Sequence, residues 1–128
     1  MLYHKHLLVN ARVYNPMSSE EDAINFLTTL VERINMKIIK GPFAHYVDAP
    51  GNEGLTAIVM IETSHIAFHI WDKVYPGHLQ FDLYTCGELD VDVVKDTLAE
   101  YFDISMMDYM LMDRENGFKI EDEGFYYV

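Results

Sequence analysis

Apolar and polar positions divide the chain into short segments of changing period. Lys5 to Tyr14 is rich in Leu, Val and Tyr and predicts a strand, stopped by Asn15-Pro16. Beyond it the period changes: Ala23, Phe26, Leu27, Leu30, Val31 and Ile34 recur at helical spacing and form one stripe for burial. Ser18 and Glu21 stand at capping-box spacing in front of that stripe. Met36 to Lys40 predicts a short strand ended by Gly41-Pro42, and Phe43 to Val47 a further extended piece. Asp48 to Gly54, with Pro50, Gly51 and Gly54, is a loop. Leu55–Ile61 and Ile66–Trp71 read as adjacent strands around a tight turn at 62–65, and Leu79–Thr85 as another strand after a second loop. Asp90 suits the N-cap of a second helix, where Val94, Leu98, Tyr101 and Phe102 share a face. Ile104–Met112 predicts a last strand, and 113–128 a polar, hairpin-like or irregular tail.

The order β-α-β-β-β-β-α-β predicts an α+β two-layer sandwich, with helices on one face of a mainly antiparallel sheet. The other face of such a sheet needs cover, which makes a homodimer the expected state. A chain of 128 residues, half of them hydrophobic, suits a single domain over 1–128.

Charge and cysteine usage narrow the function. Nine basic against 21 acidic residues give a formal charge of −12, which repels a nucleic-acid backbone and attracts a cationic ligand. No window approaches the ~18 apolar residues of a membrane span, and Met1 to His6 has no apolar run of the secretory kind. The single cysteine, Cys86, excludes an internal disulfide and fits a reducing, cytoplasmic setting.

The chemistry-bearing residues cluster at 62–69 and 82–87. Ser64, His65, His69 and Cys86 offer a hydroxyl or thiol for attack and groups to move protons. His65 and His69 lie four apart, a zinc spacing on a helix, but on a strand that separation spans ~13 Å and no metal is expected. His4 and His6 are closer on their strand, yet two ligands make no site. Cys86 ends an apolar strand just before Gly87, at a place where side chains emerge into a loop. Ser64 and His69, five apart, face opposite ways on a continuous strand. If both serve one site, the chain bends near Ser64, or Ser64 sits at a strand end.

The run Glu62-Thr63-Ser64-His65-Ile66-Ala67-Phe68-His69-Ile70-Trp71, followed by Asp82-Leu83-Tyr84-Thr85-Cys86-Gly87, resembles the pyruvoyl-dependent S-adenosylmethionine decarboxylases of the short prokaryotic type. The shared pattern is S-H-x-x-x-H-x-W and then T-C-G, and the similarity runs from about residue 4 to 87. The resemblance implies that Ser64 attacks the carbonyl of Thr63, that an N→O acyl shift and elimination cut the chain between them, and that Ser64 becomes a pyruvoyl group. It further implies that Thr56 assists processing, that His69 takes the α-proton during elimination, and that Cys86 protonates the substrate carbon after CO2 leaves. The implied activity is decarboxylation of S-adenosylmethionine, which supplies the aminopropyl donor for spermidine and other polyamines, in a dimer with the site near its interface.

This chain departs from the family pattern at two informative places. Thr63 stands where the family has glutamate before the cleaved serine. Asp72-Lys73 stands where the family has Pro-Glu, whose glutamate binds the substrate ribose. Asp72 is the candidate replacement, and Tyr46 the candidate aromatic for adenine. Two other readings stay open: a pyruvoyl decarboxylase of a basic amino acid such as ornithine or arginine, and an unprocessed, non-enzymatic homologue that regulates an active enzyme.

Overall fold

The computed structural model describes residues 3–127. Seven strands and two helices follow in the order β1 (Lys5–Val13), α1 (Glu20–Arg33), β2 (Ile38–Val47), β3 (Gly54–Ile61), β4 (Ser64–Trp71), β5 (Gly77–Thr85), α2 (Val91–Tyr101), β6 (Ile104–Asp113) and β7 (Lys119–Tyr127). The strands form one antiparallel sheet ordered β2-β3-β4-β5-β1-β6-β7. This is the expected α+β sandwich. Leu7, Val9, Ala11 and Val13 on β1 alternate with more exposed residues, as do Leu55 to Ile61 on β3, and their buried sides share one core with the helices. Phe26 of α1 is fully buried and stacks edge-on against Phe68, Phe81 and Phe102.

Local chemistry differs from the sequence expectation in three places. The cap of α1 is Ser19, one residue later than the Ser18–Glu21 spacing predicts; its hydroxyl accepts from the Asp22 amide at 3.2 Å. The two extended pieces around Gly41-Pro42 are one edge strand, β2. Pro42 cannot donate to the ladder, and the register shifts between Lys40 and Phe43 absorb it as a bulge. The polar tail contains β7, an edge strand paired to β6. It is mostly exposed, so burial imposes no clean alternation on its sequence. Asp90 caps α2 as expected.

The face away from the helices is open and carries apolar side chains. Phe43, Ile58, Met60 and Leu8 are 55, 42, 44 and 38% exposed, apolar surface of the kind that marks an interaction face. A shallow depression of about 710 Å³ lies on this face, lined by Leu8, Thr56, Ile58, His69, Asp82 and Met110 together with their neighbours. No helix among the described residues is long and apolar enough to cross a membrane.

Candidate active site

The β3–β4 hairpin positions most of the candidate residues. Ile61 pairs with Ser64, so the connecting loop is only Glu62-Thr63, and Ser64 opens β4. Ser64 has φ 143°, a region that residues with a side chain rarely adopt, and such strain costs ~1–3 kcal/mol. It falls on the residue whose peptide nitrogen follows Thr63.

Three consecutive residues of the Thr-Cys-Gly run hold this turn. Thr85 pairs with Ser64 across the β4–β5 ladder. Cys86 donates its backbone N–H to the Thr63 carbonyl at 2.8 Å. Gly87 packs on the Thr63 side chain so closely that a Cβ there would stand 3.0 Å from Thr63 Cγ2. Gly87 in turn donates its N–H to the buried Thr85 hydroxyl at 2.9 Å. The motif is thus a clamp on the peptide carbonyl before Ser64. Cys86 itself is half-buried, with a free thiol.

Ser64 Oγ lies 3.1 Å from His65 Nδ1. The other ring nitrogen of His65 is 3.4 Å from the Asp82 carboxylate. Asp82 also receives His6 Nε2 at 2.9 Å, and Arg114 meets His6 Nδ1 at 3.1 Å. Burial raises the Asp82 pKa, but the His6 hydrogen bond and the nearby His6 and His65 rings outweigh it, so the net shift is downward. Sequence reasoning gave Asp82 and His6 no catalytic or supporting role, and it counted His65 among the groups that move protons without giving it a partner. The signal was polar residues at alternate strand positions, and it becomes legible only once β1, β4 and β5 are known to be neighbours.

A second group lies further down the hairpin. Thr56 is the cross-strand partner of His69, and Thr56 Oγ1 meets His69 Nδ1 at 2.6 Å. His69 Nε2 is buried and has no partner, and the Trp71 ring lies tilted against the imidazole with centroids 4.0 Å apart. Burial lowers the His69 pKa, so the ring is neutral near pH 7. An orphaned acceptor is better tolerated than an orphaned N–H. That favours Nδ1–H donating to Thr56, with the Nε2 lone pair free to act as a base.

Tyr46 and Asp72 are brought together as well: the Tyr46 hydroxyl donates to the Asp72 carboxylate at 2.9 and 3.1 Å. Burial and that bond both raise the Tyr46 pKa. This pair sits beside Gly54 and Trp71, at the end of the hairpin away from Ser64.

Within one chain the groups do not meet. Five residue steps of strand separate Ser64 from His69, ~16 Å, and a bend at Ser64 does not close that gap. Among the described residues no group of three or more His, Cys, Asp or Glu is arranged to hold a metal ion.

The family model for S-adenosylmethionine decarboxylase matches residues 5–115, so the chain belongs to that family. Curated relatives include S-adenosylmethionine decarboxylase proenzymes of Bacillus velezensis and Geobacillus kaustophilus, each 35% identical over 48 residues. A proenzyme of the same name from Anoxybacillus flavithermus is equally similar. The matched stretch is 38% of this chain and spans 36 to 37% of the length of these relatives.

Proposed function

We propose that the protein is a self-cleaving, pyruvoyl-dependent decarboxylase of S-adenosylmethionine, working as a homodimer. The observation that carries this reading is the clamped turn: a strained Ser64 follows a carbonyl already hydrogen-bonded by the Cys86 N–H. Attack of Ser64 Oγ on that carbonyl places negative charge on the Thr63 oxygen, where the Cys86 N–H already points. Cleavage depends on a backbone donor and a serine, so Thr63 in place of glutamate does not stop it. The surroundings fit a carbonyl-bearing group at 64: the His65 ring nitrogen stands 3.1 Å from the Ser64 side chain, and Cys86, bonded through its N–H to the Thr63 carbonyl, keeps a free thiol.

Once formed, that group supplies an electron sink for decarboxylation. The chain's own residues do the rest. Cys86 returns a proton to the substrate carbon, a role that needs a free thiol and fits a reducing cytoplasm. Asp72, oriented by Tyr46, offers a carboxylate for the ribose hydroxyls, and the acidic surface favours a sulfonium substrate. The product would feed polyamine synthesis as an aminopropyl donor.

Dimerisation completes the site. The open apolar faces of two copies pack together about a two-fold axis that crosses over the middle of β4, near positions 66 and 67. Such an axis exchanges position 64 of one chain with position 69 of the other. Thr56, His69, Trp71, Asp72 and Tyr46 of one copy then approach Ser64 and Cys86 of its partner, and the His69 Nε2 lone pair reaches the α-proton lost in elimination. The test is release of CO2 from S-adenosylmethionine by processed protein, run beside ornithine and arginine. Turnover of S-adenosylmethionine is expected; turnover of an amino acid alone would reassign the substrate.

A further inference from the structure

Self-processing needs a base before it needs anything else, because a neutral serine hydroxyl is a poor nucleophile. His69 is ~16 Å along the strand from Ser64 in its own chain, and in the proposed dimer it serves the later elimination. The imidazole in contact with the nucleophile is His65, with Nδ1 at 3.1 Å from Ser64 Oγ.

With His65 neutral, the surrounding polar groups admit one consistent set of protons. Arg114 has only donors, so His6 Nδ1 accepts and His6 Nε2 carries the proton. His6 Nε2–H donates to Asp82 at 2.9 Å. Asp82 is ionised and only accepts, so His65 presents Nε2–H towards it, 3.4 Å away. His65 Nδ1 is then left with its lone pair facing Ser64 Oγ–H. Arg114 is itself held over the Tyr84 ring, 4.4 Å from its centroid, and its backbone N–H donates to the His4 carbonyl. The chain Ser64–His65–Asp82 has the logic of a nucleophile, a base and an orienting carboxylate.

We propose that His65 is the general base of the first step of self-processing, held by Asp82 in the tautomer whose Nδ1 accepts the Ser64 proton. This rests on the reading that the chain cleaves itself at Ser64. As Oγ attacks the Thr63 carbonyl carbon, its proton moves to His65 Nδ1 and the oxyanion forms against the Cys86 N–H. The carbon–nitrogen bond between Thr63 and Ser64 then breaks. The leaving amine takes the proton back from His65, and an ester joins Thr63 to Ser64 Oγ. No proton or electron is gained or lost overall. Asp82 acts through His65 and is a positioning residue.

The experiment follows cleavage of purified chain by intact mass, with hydroxylamine added to samples to cut any ester. His65→Ala is compared with wild type and with His69→Ala, and His65→Gln, which keeps volume and a hydrogen-bonding group, is made alongside. Melting curves establish that the variants fold. His65→Ala and His65→Gln should cleave roughly 10²–10⁴-fold more slowly, show no hydroxylamine-sensitive ester, and in the Ala variant be accelerated by added imidazole. His69→Ala should instead accumulate the ester. In the uncleavable Ser64→Ala chain, ring-nitrogen NMR should find the His65 proton on Nε2, and Asp82→Asn should move it to Nδ1. Wild-type cleavage by a folded His65→Ala chain, ester accumulation in it, or indifference to imidazole would each overturn the base role. A His65 proton on Nδ1 with Asp82 intact would overturn the orienting role. If wild type never cleaves while folded, the processing reading fails together with this inference. If wild type cleaves and His65→Ala keeps pace, only the inference fails.

Discussion

Replacing Thr56 by valine removes one oxygen and little else, since the two side chains share a branched shape and both suit a strand. The lost contact is the 2.6 Å bond to His69 Nδ1. Because His69 Nε2 already lacks a partner, the variant leaves both ring nitrogens unpaired. An unsatisfied buried polar group costs ~1–3 kcal/mol. In the single chain Thr56 is exposed on the open face, so water reaches that side of the ring and the low end, ~1 kcal/mol, applies until a second copy covers it. For a chain of this size that is a drop of roughly 3–6 °C in melting temperature. The effect on processing is larger in kind. Without the hydroxyl the ring no longer prefers the tautomer with a free Nε2, and a loss of ~1.4–2.8 kcal/mol at the elimination barrier slows it about 10–100-fold. The assay is a mass time course with hydroxylamine. Thr56→Val should accumulate ester, while Thr56→Ser, which restores the oxygen, should process almost normally. Processing of Thr56→Val at the wild-type rate, or a Thr56→Ser as slow as the valine variant, would refute the argument that this hydroxyl sets the His69 tautomer.

Further outcomes follow from the same geometry. Cys86→Ala keeps the backbone N–H that holds Thr63, so it should still cleave, while decarboxylation falls roughly 10²–10⁴-fold; near-normal turnover would remove the thiol as proton donor. Burial lowers the pKa of His69, and burial with the Arg12 charge lowers that of His78, from an ordinary 6.5, so the unfolded chain binds more protons below that value. Melting temperature should therefore fall between pH 7.5 and 5.5, and again below pH ~4 as Asp82, whose pKa is lowered, is protonated; a flat profile over the upper range would contradict the half-buried, neutral histidines. Light scattering should give a dimer at micromolar concentration. Coexpressed Ser64→Ala and His69→Ala chains should restore cleavage of the His69→Ala chain across the interface, and a mixture that stays intact would contradict the shared site.

The strands and helices were legible because burial on one face writes its period into the sequence. The stripe from Ala23 to Ile34 and the alternation through Leu55 to Ile61 are direct readings of the core. The β7 strand was not, because an edge strand with little burial has no such period to write. The Ser19 cap shows the same limit at short range: two adjacent serines compete, and only backbone geometry chooses. At the site, the Ser64 turn and the Thr-Cys-Gly run were visible as motifs, but their mutual hydrogen bond depends on β4 lying beside β5. Bringing His65, Asp82 and His6 together likewise required the sheet order. The distance between Ser64 and His69 could be counted along a strand, and the structure adds that the strand is continuous from 64 to 71.

Self-cleavage before Ser64 is read out without any substrate by the intact mass of purified wild-type protein. Two fragments are expected, residues 1–63 and 65 residues beginning at position 64, the second lacking a free amino terminus and carrying the mass of a pyruvoyl group. A single folded chain that keeps its full 128-residue mass after prolonged incubation, with Ser64 unmodified, would contradict it.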